Sequence, residues 1–68
     1  MDIKIEYIPD IEKYRIWNER YVNYAHTRME VVELIKNCAV ELKLYSYGLS
    51  EVEIEKFKRL GLEIERIG

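Results

Sequence analysis

Glutamine is absent from this 68-residue chain, and cysteine, proline and histidine occur once each. Each scarcity closes a route. The single Cys38 forbids a disulfide within the chain, and Cys38 with His26 falls short of the four soft ligands of a structural zinc. No CxxC or HxxxH pair is present, so neither a metal nor a cofactor is expected. Glycine stands only at positions 48, 61 and 68, and the phosphate-cradling patterns GxGxxG and GxxxxGKS/T are missing. So are GxSxG, HExxH and the EF-hand loop, which leaves no motif for an enzyme.

Other absences bear on location and partners. No apolar run approaches the ~20 residues that span a bilayer. Met1-Asp2-Ile3-Lys4-Ile5 alternates polar with apolar, without the basic stretch and apolar run of a secretory signal. With a lone cysteine, this reads as a reducing, cytoplasmic setting. A basic excess is also lacking. Eleven Lys and Arg meet 13 Asp and Glu for a net charge of −2, whereas nucleic-acid binders rely on neutralising phosphates.

What is present fits one small α/β (or α+β) domain over residues 1–68. A chain this short buries only roughly 60% of its unfolded surface, so self-association or unusually tight packing is expected to add stability. Glu, Ile, Tyr, Lys and Arg dominate, a bias found in thermophile proteins. A motif-free chain of this size also suits a viral or plasmid origin.

Residues 2–8 alternate as a strand that Pro9 ends. Residues 10–26 carry two patterns. At ~100° per residue, Ile11, Tyr14, Trp17, Tyr21, Val22, Tyr24 and Ala25 share one helical face, with Asp10 as N-cap and Arg15 and Glu19 paired. The alternative is a hairpin over residues 13–25, turning at Asn18-Glu19 without the glycine that primed turns want. Thr27-Arg28-Met29-Glu30 is a capping box opening a helix to Cys38, which Asn37 closes in a left-handed turn. Residues 40–47 alternate again. Ser50-Glu51-Val52-Glu53 is a second capping box, Gly61 sits at the C′ position, and 62–65 is a last strand. Val40–Ile67 thus predicts a right-handed βαβ unit with parallel strands. The preferred order is β-α-α-β-α-β around three strands, and the alternative is β-β-β-α-β-α-β.

Six tyrosines and one tryptophan are the unusual feature. Tyr45 and Tyr47 lie opposite the Val40-Leu42-Leu44 core side of their strand. Uncovered, with Trp17, they would serve a protein interface or stack nucleobases; covered, they would complete a thin core. His26 and Arg28, near Glu30, permit acid–base work on RNA without metal, although a helix-start cluster accounts for them as well. The Tyr47–Ser50 loop lies where parallel sheets hold phosphate, but Glu51, Glu53 and Glu55 oppose an anion there. Cys38 is read as a small packing residue. The function expected is a non-enzymatic, self-associating interaction or regulatory protein. The alternative is a nucleic-acid-binding or metal-independent RNA-cleaving module using Tyr45, Tyr47, Trp17, Arg28 and His26.

Overall fold

The alternation of residues 2–8 forms strand β1 (Asp2–Ile8), with Ile3 and Ile5 turned inward and fully covered. A computed structural model describes residues 1–38 and 41–67. After β1, a 3-10 turn over Pro9–Ile11 leads to β2 (Lys13–Asn18) and β3 (Tyr21–Ala25). Helix α1 (Arg28–Lys36), strand β4 (Lys43–Ser46), helix α2 (Glu51–Arg59) and strand β5 (Ile64–Arg66) follow. The expected strand start at Val40 lies outside the described residues. The five strands make one mixed sheet in the order β3-β2-β1-β4-β5. β1, β2 and β3 run antiparallel in turn, whereas β1 pairs in parallel with β4, and β4 with β5.

The helix expected over 10–26 is therefore a hairpin, and the sheet has five strands rather than three. Two physical facts favour the hairpin. Aromatic and β-branched side chains lose rotamer freedom in a helix and gain contacts on a pleated sheet. The turn also needs no glycine, since the Asn18 Oδ1 accepts the Arg20 N–H at 2.9 Å and closes Glu19-Arg20 as an Asx turn. Neither turn residue has positive φ. Arg15 accordingly pairs not with Glu19 but with Glu6 on the neighbouring strand, at 2.5 Å.

Strands β4 and β5 are adjacent and parallel and are joined by the capped helix α2. Ser50 Oγ accepts the Glu53 N–H at 3.3 Å. At the other end Gly61, with φ +92°, closes a Schellman turn. There the Gly61 N–H reaches the Lys58 carbonyl and the Leu62 N–H reaches that of Phe57. Helix α1 is capped by Thr27, and Glu30 accepts the His26 N–H. Asn37 ends α1 with right-handed backbone, φ −81°, not in the left-handed turn expected.

Both helices lie on one side of the sheet. Val31 and Val32 of α1 and Phe57 of α2 join Ile3, Ile5, Tyr14, Ile16, Ala25, Leu44 and Ile64 in one core. Leu49 and Leu62 close it from the loops. The result is a small compact α+β domain, whose 10.9 Å radius of gyration equals the ~11 Å expected for a chain of this length.

One backbone position works against stability. Glu12 holds φ 51° and ψ 45°, a left-handed conformation that costs an L-residue other than glycine roughly 1–2 kcal/mol. Because glycine is looser when unfolded, Glu12→Gly is expected to stabilise the domain by a net ~0.5–1 kcal/mol. A thermal midpoint unchanged or lowered by this substitution would contradict the strain.

Candidate interaction face

Among the described residues, the other side of the sheet carries no helix. Strict alternation decides what stands there. With Ile3, Ile5, Tyr14, Ile16 and Leu44 facing the core, the intervening residues face away from it. The register sets Val22, Trp17, Lys4, Tyr45 and Glu65 side by side in one row across all five strands. A second row holds Tyr24, Arg15 and Glu6. Tyr47, just past β4, leans over the same surface, with Lys4 Nζ 5.7 Å from its ring centre.

Electrostatics organise this surface. The Arg15 guanidinium lies 4.2 Å from the Trp17 ring centre and is ion-paired with Glu6. It thus combines a cation–π contact with a cross-strand pair. Its Nε is buried without a partner among the described residues. Trp17 and Tyr45 are half-buried between their strand neighbours. Val22, Tyr47 and Tyr24 are 58%, 57% and 46% exposed. Lys4, Lys13, Arg15 and Lys43 stand among Asp2, Glu6 and Glu65, so both signs of charge are interspersed on this face.

No family model, curated protein or solved structure matches this chain. What the face does is read from its own chemistry.

The sequence points to five residues, and the structure divides them. Trp17, Tyr45 and Tyr47 come together on the open face. Arg28 and His26 lie elsewhere, where β3 runs into α1. The Arg28 guanidinium is committed to Glu53 of α2, through Nε at 2.9 Å and through Nη2. The other oxygen of Glu53 accepts the Tyr14 hydroxyl at 2.5 Å. Glu53 therefore does not fold back to complete the second capping box. It ties α1, α2 and β2 together instead. Its pKa is pushed up by burial, but the hydrogen bonds from Tyr14 and Arg28 outweigh that and hold it below the usual carboxylate value. The Tyr14 hydroxyl is pushed well above its ordinary value, first by burial and then by bonding to Glu53. The Arg28 pKa is raised, chiefly by its bond to Glu53.

His26, Arg28 and Glu30, the acid–base candidates, have other engagements in the structure. Arg28 is engaged by Glu53, Glu30 accepts a backbone N–H, and His26 is exposed. Among the described residues no three His, Cys, Asp or Glu are grouped to hold a metal, and no helix is long and apolar enough to cross a membrane. The Tyr47–Ser50 loop is scaffold. Leu49 is buried and donates its N–H to the buried Ser46 hydroxyl at 3.1 Å. Cys38 is exposed rather than packed, its thiol on the Leu34 carbonyl.

Lys4, Arg15, Val22 and Tyr24 also belong to the face and were missed by sequence. Their signal was present in the alternation of Lys13–Asn18, which places Arg15 and Trp17 together once that segment is a strand. Read as a helix, the same residues scatter.

Proposed function

We propose that this chain is a non-enzymatic interaction module that binds a protein partner on the helix-free face of its sheet. The observation that carries this reading is Trp17 and Tyr45 standing on that face, one on each side of Lys4. Aromatic side chains backed by a rigid sheet give large contact area at small entropic cost, and interfaces are enriched in them. The chemistry also describes the partner. It presents an apolar surface to Trp17, Tyr45 and Val22 and places a carboxylate against Lys4, which has no acidic partner among the ion pairs of the described residues.

The test is selection from a randomised peptide library on the immobilised protein, with single-stranded oligonucleotides titrated in parallel. Selected peptides are expected to combine aromatic or aliphatic residues with Asp or Glu. Trp17→Ala or Tyr45→Ala should weaken them at least ~10-fold, with folding checked by circular dichroism. Val52→Ala, on the exposed side of α2, should leave binding unchanged. Peptides that ignore Trp17 and Tyr45 defeat the proposal. So does a protein that binds only oligonucleotides, with affinity falling steeply in salt, which would make the face a stacking platform for bases.

A further inference from the structure

The sheet has two edges, and they differ. The β5 edge is three residues long and carries Glu65 and Arg66. Shortness and charge are the usual means of keeping an edge from pairing. The β3 edge is five residues long, Tyr-Val-Asn-Tyr-Ala, with no charge and no proline. Tyr21, Val22 and Tyr24 on it are 39%, 58% and 46% exposed. Nothing in its composition protects it.

The backbone of β3 is also arranged to pair with itself. Asn18 and Tyr21 flank a two-residue turn and are opposite each other, so they form a hydrogen-bonded pair, and bonding direction alternates from there. Tyr21, Asn23 and Ala25 point their backbone groups at β2, whereas Val22 and Tyr24 point theirs off the edge. The Tyr24 N–H confirms this direction, being held only by the side-chain Oδ1 of its neighbour Asn23 at 2.8 Å.

We infer that two copies of this chain associate through antiparallel pairing of their β3 edges about a two-fold axis at Asn23. In that register Val22 of each copy faces Tyr24 of the other, and each such pair exchanges both of its N–H···O bonds. These are also β-branched–aromatic cross-strand pairs, a favourable combination. Tyr21 faces Ala25 of the second copy, and the two Asn23 meet on the axis. A strand paired antiparallel with its own copy closes the interface, so it gives a dimer and not a fibre. No charge lies within the paired segment, so no like-charge repulsion arises there. The contact is small beside the ~800 Å² per partner of a standard interface, and Asn23 must release the Tyr24 N–H. The dimer is therefore weak, with a dissociation constant on the order of 100 µM. It runs the two open faces together into one.

Sedimentation equilibrium from about 10 µM to about 1 mM is expected to show a monomer–dimer equilibrium. Amide exchange at Val22 and Tyr24 should slow as concentration rises, while that at Asn23 stays constant. Val22→Lys and Tyr24→Pro should each weaken the dimer at least ~10-fold, and both leave the inward-facing hydrogen bonds of β3 intact. Tyr45→Ala, on β4 and three strands away from β3, should leave it unchanged, which separates this contact from partner binding on the face. A monomer at 1 mM (about tenfold above the expected constant) overturns the inference. So does a dimer that survives Tyr24→Pro or dissolves on Tyr45→Ala.

Discussion

Replacing Phe57 with alanine is expected to destabilise the domain by about 3–5 kcal/mol, enough to unfold much of the population at ambient temperature. A domain of this length has only roughly 3–10 kcal/mol to lose. Phe57 is the one residue of α2 that is fully buried. Its ring meets the Tyr14 ring edge-on, with centres 5.5 Å apart and planes at 84°. Its neighbours offer little compensation, since Ile54 is half-buried and Val52 is 64% exposed. The Phe57 carbonyl also accepts the Leu62 N–H in the turn that carries the chain back to β5. Loss of the ring therefore opens a cavity and loosens the segment that returns β5 to the sheet. Phe57→Leu should recover most of the loss, and Val52→Ala should stay within about 0.5 kcal/mol of the parent. Urea midpoints measure all three. A Phe57→Ala loss below about 1.5 kcal/mol would mean that α2 is held by something other than this ring.

Sequence resolved the parts of this fold whose signals are local. β1 announces itself by alternation and Pro9. α2 is bracketed by Ser50 and Gly61, whose roles depend on one hydroxyl and one missing Cβ. Residues 13–25 were ambiguous for a physical reason. Tyr14, Trp17, Tyr21 and Tyr24 recur three and four apart as a helix requires, while Tyr14 and Ile16 also alternate with Arg15 and Trp17. Tertiary pairing settled it, because β2 gives Ile5 a neighbour in Ile16, and Glu6 a partner in Arg15. The candidate site inherits this split. Tyr45 and Tyr47 were legible from one strand alone, but Lys4, Arg15 and Tyr24 join them only when three separate strands are set in register. The tie from Glu53 to Tyr14 and Arg28 was hidden in the same way. Locally Glu53 reads as a capping carboxylate, and its partners lie 39 and 25 residues away.

That tie yields the second large effect, a stability plateau with an acid and an alkaline limb. Glu53 has a folded pKa below its ordinary 4.5, because the bonds from Tyr14 and Arg28 overcome the upward push of burial. Its unfolded form takes up a proton first as pH falls, so its contribution is whole above about 4.5 and is lost as pH drops through the lowered value. Tyr14 is the opposite case. Burial, then the bond to Glu53, raises its pKa above the ordinary 10.0. Its contribution is whole below about 10 and is lost as pH climbs through the raised value. Between the limbs, Glu53→Gln should cost about 1–2 kcal/mol, a charge-assisted pair discounted for solvent, since the Arg28 side chain is 34% exposed. Tyr14→Phe should cost about 1 kcal/mol. The shapes of the curves discriminate more sharply than their heights. Glu53→Gln should shrink the acid limb and also the alkaline limb, which still begins near about 10 but ends at lower pH, because Tyr14 loses an anionic acceptor. Tyr14→Phe should abolish its share of the alkaline limb and leave Glu53's acid limb to Arg28, with Lys56 adding to it. Both substitutions act on the same hydrogen bond, Tyr14→Phe removing it and Glu53→Gln weakening it, so the double variant should lose less than the sum of the singles. Urea unfolding across the pH range reads these outcomes together, and an acid limb untouched by Glu53→Gln would show that other carboxylates govern acid unfolding.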